Sequence, residues 1–307
     1  MASLFKDSSA ILFNGMALRE RAAQEGYLFF KGLLPAEDIL PVRADLLGVV
    51  EKCGWLSQGA ESEDTLDLKA LAAVPESEMR TDIGVSAVAY DAVQKLESVH
   101  RLPHHPKLLA LYKTLFDDEV LVHARHIIRM ITAHPAVFPT PPHQDFPLVQ
   151  GTQHTWTCWF PIGNCPRPMG SLTVLRGSHQ LGYLPIKPAQ GAGGIAAQTC
   201  PGEECHEDWI EGDFMLGDVL TFPAFTLHKA LPSQFKDRIR LSFDVRYQAL
   251  SEPVEARSLL PHCGLTWEEI YANWQQGDLK YYWQKLSQPP NLSDWNPALL
   301  QPARRIC

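Results

Sequence analysis

From residue 120 onward the chain reads as short β-type runs punctuated by Gly and Pro, at 120–132, 155–162, 172–175, 219–222 and 239–247. Runs of this length between turn residues predict a barrel or a double-sheet jelly roll. The last run carries the clearest pattern. Ile239, Leu241, Phe243, Val245 and Tyr247 alternate with Arg238, Arg240, Ser242, Asp244 and Arg246. Side chains on a strand repeat every two residues, so the two sets face opposite ways. One set packs against apolar neighbours. The other is too polar for a dry core and faces solvent or a polar cavity.

Upstream the period changes. Tyr27-Leu28-Phe29-Phe30, between Gly26 and Lys31-Gly32, predicts a buried strand. Ile39, Val42, Leu46, Leu47 and Val50 then fall on one helix face, with Gly54 beyond the end. Its start is open: Pro35 and Pro41 are each acceptable in a first turn, but Pro41 would strain a helix begun at Pro35. A second helix is predicted over 106–117 from Leu108, Leu109, Leu111, Tyr112 and Leu115. The acidic stretch 57–82 reads as a loop or mobile flap, and it and the Gly/Ala/Pro-rich stretch 188–202 are candidate lids. After Pro261 helix returns: Thr266 with Glu269 forms a capping-box pattern, and Trp267, Ile270, Tyr271 and Trp274 form a stripe read as a packing cover. The expectation is one mixed α+β domain over 1–307, with a jelly-roll core at about 120–250, an N-terminal helix-and-strand segment at about 16–118 and a helical cover at about 260–290.

Composition narrows the partners. Lys+Arg number 27 against 35 Asp+Glu, a net charge of −8 with no basic run, which argues against nucleic acid and anionic membrane surfaces. No stretch approaches the ~20 apolar residues of a membrane span. The first residues lack a basic flank followed by an apolar run, so no signal peptide is expected. The seven cysteines (Cys53, Cys158, Cys165, Cys200, Cys205, Cys263 and Cys307) are odd in number and hold no CxxC pair. They are expected to be reduced thiols in a cytoplasmic protein rather than a disulfide framework or zinc ribbon.

Candidate chemistry sits in two places. His143-Gln144-Asp145 puts an imidazole and a carboxylate two positions apart; on an extended segment both reach one cation while Gln144 points away or sideways. Alone this tripeptide is a weak signal. A turn at Gly217-Asp218, a strand at 219–223 and then His228 supply a second imidazole, with Arg238 and Arg240 ten and twelve residues beyond it. Two His and one carboxylate leave open positions on a metal, the ligand set of non-haem Fe(II) oxygenases. A cosubstrate such as 2-oxoglutarate can chelate such an iron through its keto and C1 carboxylate oxygens. Its far carboxylate then needs a buried cation, best an Arg. Parity does not choose between Arg238 and Arg240. Among other histidines, His179 reads as part of a tight Gly-Ser-His turn and His104-His105 as a surface loop. His123 and His126, three apart, face opposite ways and make no ligand pair.

With these motifs in order, the chain resembles the phytanoyl-CoA dioxygenase-like branch of the Fe(II)/2-oxoglutarate oxygenases over roughly 20–250. The resemblance rests on Glu25-Gly26-Tyr27-Leu28, His143-Gln144-Asp145, Gly170-Ser171-Leu172-Thr173-Val174-Leu175-Arg176-Gly177-Ser178-His179, and His228 with Arg238-Ile239-Arg240-Leu241-Ser242. It implies a double-stranded β-helix (jelly-roll, cupin-like) core with flanking helices. It implies Fe(II) held at a catalytic centre of His143, Asp145 and His228. It implies 2-oxoglutarate bound by Arg240 or Arg238, with Arg240 favoured by the Arg-x-Ser pattern. Trp159 would line the site, and Gln144, the middle of the motif, is counted with the cofactor-binding residues. The implied reaction oxidises a small molecule (a natural-product intermediate, an amino-acid-like solute or an acyl thioester) with O2, as 2-oxoglutarate becomes succinate and CO2. Related halogenases lack the carboxylate, so Asp145 points to oxygen insertion, with desaturation, ring formation and epimerisation left open on the same iron. Arg176 where Pro is usual, and Lys229-Ala230-Leu231-Pro232-Ser233 without the common Asn, bear on loops and substrate rather than on the ligand set. Two other readings use the same residues: a zinc or other cupin-like metal hydrolase, which would not need the arginines, and a non-catalytic jelly-roll binding protein, which would be expected to have lost a ligand.

Overall fold

The computed structural model describes residues 4–198 and 208–301; Cys200, Cys205, Cys307 and the end of the 188–202 stretch lie outside the described residues. The strand of alternating residues is the hub of the chain. Among the described residues two principal sheets, antiparallel throughout, are built from β1 (Leu28–Phe30), β2 (Val120–Val122), β3 (Ile127–Ile131), β4 (Trp156–Pro161), β5 (Leu172–Leu175), β6 (Trp209–Ile210), β7 (Val219–Pro223), β8 (His228–Ala230) and β9 (Arg240–Ala249). The larger sheet runs β1-β7-β4-β9-β2, with β3 also on β9; the smaller runs β6-β5-β8. β9 pairs along its length with β4, and on its other edge with β3 from Arg240 to Asp244 and β2 from Tyr247 to Ala249. The predicted core strands are all present, and the N-terminal strand joins them: Leu28–Phe30 pairs with Thr221–Val219.

The alternation in β9 sorts its surroundings. Leu241, Phe243, Val245 and Tyr247 share an apolar cluster with the helices α1 (Gly15–Glu25), α2 (Ala36–Lys52) and α3 (Pro106–Phe116). Tyr112 of α3 stacks on Tyr247 with centroids 4.0 Å apart, and its hydroxyl meets Thr221 Oγ1 at 2.7 Å. On the opposite face, Phe29, Trp159, Leu220 and Phe222 meet Leu172, Val174 and Ile210 of the smaller sheet. The polar set of β9 (Arg240, Ser242, Asp244 and Arg246) lies on this second side and is buried, so the polar-cavity alternative holds.

Several helical details depart from expectation. α2 starts at Ala36, with Pro35 as its N-cap, and runs through Pro41. Pro41 is exposed, so the carbonyl it leaves unpaired is on the solvent face of the helix. The stretch 57–82 is not a free loop: it contains a helix at Leu68–Ala72, and Asp64 is buried between Arg43 (3.0 Å) and Arg238 (2.9 Å). The tail cover is barely helical. Its capping box forms, but α4 spans only Trp267–Tyr271, and aromatic packing of Trp267, Tyr271, Trp274 and Trp283 carries the rest. His104-His105 is half-buried rather than a free surface loop: His104 packs on Tyr282 (4.3 Å), and His105 caps α3 and bonds the exposed Asp38 at 3.0 Å. The four described cysteines are free thiols. No helix among the described residues is long and apolar enough to cross a membrane.

Buried histidines make stability pH-dependent. Burial pushes His100 and His123 from the ordinary 6.5 to about 4. His100 Nε2 meets Gln94 O at 2.9 Å, and His123 Nε2 meets Gln248 Oε1 at 2.8 Å. Between those pH values the unfolded chain takes up protons that the folded chain refuses. The stability tied to these residues is therefore complete above pH 6.5 and is lost as pH falls toward 4. Urea midpoints should fall through this window, and fall less in His100→Gln and His123→Gln; a midpoint flat across it would contradict the assignment.

Candidate metal centre

Backbone pairing brings the two halves of the site together. His143 N donates to His228 O at 3.0 Å and His228 N to His143 O at 3.1 Å, an isolated bridge beside β8 that sets the rings 4.2 Å apart. His143 Nδ1 lies 2.9 Å from Pro141 O, and His228 Nδ1 lies 3.0 Å from Thr226 O. A carbonyl only accepts, so each Nδ1 carries the hydrogen and each Nε2 keeps a lone pair for a metal. The chain then turns at Asp145 into a short helix, Phe146–Val149. Asp145 Oδ1 stands 3.5 Å from His143 Nε2 and 3.7 Å from His228 Nε2, and the three donor atoms lie within 4.8 Å of one another. Ligand atoms about 2.1 Å from a shared ion stand roughly 3–4 Å apart, so these buried groups fit one cation.

Asp145 is held from behind. Its Oδ2 accepts from Arg246 Nη2 at 3.0 Å and from the Thr157 hydroxyl. Thr157 and Arg246 are direct partners across β4 and β9 and so reach the same side. Burial by itself would raise the Asp145 carboxyl, but Arg246, His228 and His143 outweigh it and hold the group well below the carboxylate range. Burial, then the neighbouring His143, push His228 down to about 4 despite Asp145. At neutral pH it is the uncharged imidazole that ligates metals. The next charge pair follows suit: Asp244 accepts from Arg129 Nε at 2.8 Å.

The structure separates the two candidate arginines. Arg238 precedes β9 and turns out to Asp64, beside a bridge between Thr65 and Arg238, so it does not reach the site. It is not among the residues lining the cavity that His143, Asp145 and His228 share. Arg240, 5% exposed, lines a narrow cavity of ≈20 Å³ together with His143, Asp145, Trp159 and His228. It donates to the Gly170 carbonyl and lies 5.9 Å from the Trp159 ring centroid. Its Nε has no partner, and it makes no ion pair among the described residues. Gln144, counted from the resemblance with the cofactor-binding residues, does not line that cavity either. Its amide donates to Gly182 O and Phe225 O, both at 2.7 Å, and its oxygen accepts from Leu184 N at 2.8 Å. That leaves it tying three loops together, away from the donor atoms, as its parity in the sequence implied.

On its other side the cluster opens into a cavity of ≈690 Å³. His143, Asp145 and Arg246 form part of its wall; of the described residues in the predicted lids, Ala192 and Gly193 line it and none of 57–82 does. Leu260, Leu265, Trp267, Trp295 and Leu300 do, so the tail walls the cavity as well as covering the sheet. Sequence reasoning missed Thr157 and Arg246 as supports and the row His123, Arg125, Ile127 and Arg129. The signal was there: all four are at alternate positions, and all line the cavity.

A test of this geometry uses the residues behind Asp145. Thr157→Val and Arg246→Met should each weaken Co(II) binding about 10–100-fold, the usual cost of losing support to a ligand. Titration of folded protein, checked by circular dichroism, measures it; unchanged affinity in both would remove the supporting role.

Comparison with known proteins agrees with the fold. The 1-deoxypentalenic acid 11-beta-hydroxylase of Streptomyces arenae is 27% identical over 267 residues, covering 84% of this chain and 89% of that protein. Among solved structures, the epimerase SnoN in complex with Fe3+, alpha ketoglutarate and nogalamycin RO is similar with a TM-score of 0.56 at 21% identity, over 80% of this chain and 86% of that one. The carbocyclase SnoK from nogalamycin biosynthesis is similar with a TM-score of 0.51 at 16% identity, over 93% and 95%. Residues 22–239 match the family described as phytanoyl-CoA dioxygenase (PhyH), well over half of the chain, and the protein belongs to that family.

Proposed function

We propose that this protein is an Fe(II)/2-oxoglutarate-dependent oxygenase that hydroxylates an unactivated C–H bond of a small molecule. The observation that carries the reading is Arg240: a buried guanidinium with no carboxylate partner among the described residues, in the same narrow cavity as His143, Asp145 and His228. A buried cation without a counter-charge is costly, and a dicarboxylate reaching in from the metal would supply that charge. Taking it in requires the lining side chains to give way. In this reading His143, Asp145 and His228 hold the iron, Arg240 takes the far carboxylate and Trp159 lines the site. The two facing sheets are a double-stranded β-helix, the core at about 120–250 of a single oxygenase domain spanning 1–307. The hydroxylase name of the Streptomyces arenae relative and the Fe3+ and alpha ketoglutarate of the SnoN complex support it.

Iron, 2-oxoglutarate and O2 together supply the oxidising power: one oxygen atom enters the C–H bond and the other leaves in succinate, with CO2 released. The chain supplies order. Arg246 and Thr157 aim Asp145 Oδ1 at the two Nε2 atoms, and the Pro141 and Thr226 carbonyls fix both rings. The Arg129–Asp244 pair neutralises the next charges along β9. The tail residues wall the substrate cavity with apolar side chains that keep bulk water from the metal's open side.

Anaerobic protein given Fe(II) and 2-oxoglutarate should develop a weak visible charge-transfer band, lost in His143→Ala and in His228→Ala. A hydrogen bond to a charged group is worth about 1.5–3 kcal/mol. Arg240→Ala should therefore raise the 2-oxoglutarate concentration for half-formation of the band about tenfold or more. Arg238→Ala should leave that concentration unchanged. No band in folded, iron-loaded protein would overturn the reading.

A further inference from the structure

The larger cavity is lined by four arginines, and three of them are matched. Arg129 Nε bonds Asp244 at 2.8 Å, Arg246 Nη2 bonds Asp145 at 3.0 Å, and Arg257 Nε bonds Glu255 at 3.1 Å. Arg125 differs. Its Nη1 donates to Pro261 O at 2.5 Å, and it makes no ion pair among the described residues. A guanidinium carries five N–H donors, so most of Arg125's are unspent in a cavity that also holds two metal-ligand candidates. Burial, and then the repulsion of Arg257, Arg80 and Arg246, disfavour its charge, with Tyr90 opposing. The remaining acid on the wall is not a hidden partner: Glu268 accepts from the Tyr281 hydroxyl at the surface. His262 is not one either, because burial and the surrounding arginines hold it neutral while its Nδ1 meets Tyr90 Oη at 2.9 Å. Around these groups the wall is apolar, with Ile127, Leu148, Val149 and Leu260 among its residues.

We infer that the substrate is a small, mostly apolar carboxylic acid, and that Arg125 binds its carboxylate. This rests on the reading that the larger cavity receives the substrate of an oxygenase. Arg125 offers a planar pair of donors, the geometry a carboxylate takes bidentately. It stands alone in this role, which suits a monoanion better than a phosphate dianion. The apolar wall would take the hydrocarbon body, so the end of the molecule fixed by Arg125 selects which C–H bond lies beside the metal. Arg125 is thus a specificity residue acting through binding, outside the groups that hold metal or cosubstrate.

The test is calorimetric binding to the full chain under anaerobic conditions, loaded with Co(II) and saturating 2-oxoglutarate so that the Arg240 cavity is filled. The probes are a panel of cyclic and branched aliphatic carboxylic acids, each beside its primary amide and its matched phosphate monoester. Acids that bind should bind about tenfold or more tightly than their amides and more tightly than the phosphates. Arg125→Gln keeps a donor for the Pro261 carbonyl but removes the charge. It should lower acid affinity about tenfold or more and leave amide affinity unchanged, while Arg125→Lys restores part of it. Equal binding of acid and amide, a preference for phosphate, no binding acid in the panel, or acid affinity that survives Arg125→Gln would each overturn the inference. Failure of the oxygenase reading shows separately, as no binding of 2-oxoglutarate to wild type. In that case the acid and amide arms are read on metal-free protein, where they test Arg125 unchanged.

Discussion

A central strand buried on both faces can carry charged residues on one of them cheaply only where each charge is answered, and β9 sets that constraint for the whole protein. Its apolar half is locked under three helices, so the strand cannot rotate or slip by one residue without burying Arg240, Asp244 and Arg246 in hydrocarbon. The polar half must then find partners across the sheet. Arg246 finds Asp145, Asp244 finds Arg129, and Arg240 finds, among the described residues, a carbonyl. The candidate metal cluster and its support meet that constraint, and Arg240 is the charge left open. Loss of any single partner leaves a buried charge behind, the more damaging way to break a buried pair.

Much of this was legible in the chain because period two is a local property. The alternation in 239–247 told which residues would share a face, and the same rule correctly sent Gln144 away from the metal when the resemblance suggested otherwise. The candidate ligand set was legible as two motifs, although nothing local says that His143 and His228 exchange backbone hydrogen bonds. What stayed hidden was decided by distant residues. Arg238 and Arg240 have the same parity. The difference between them is Asp64, far upstream, which pulls Arg238 out of the sheet's polar row. The acidic character of 57–82 suggested a solvated flap because composition cannot show that one of its carboxylates is buried between two arginines.

The tail shows the same limit from the other side. Its capping box was readable and real, yet regular helix ends after one turn, and ring-on-ring packing from Trp267 to Trp283 takes over. Such packing has no sequence period. Nor does the pattern of the tail alone reveal that Leu260, Trp295 and Leu300 reach the cavity. A cover made this way is shaped by side chains rather than backbone. Its inner contour can therefore change by substitution while the sheets beneath stay as they are.

The paired amide and carbonyl groups of His143 and His228 have an evolutionary consequence. Because the two residues are stitched to each other directly, the chain between positions 143 and 228 is a closed loop whose ends are already pinned. Lengthening a loop with fixed ends costs little, since closure entropy grows only with the logarithm of its length. Inserting or deleting residues near Ala192 and Gly193, which line the cavity, would reshape its wall without moving either imidazole. Two hydrogen bonds thus uncouple the shape of the rim from the position of the centre.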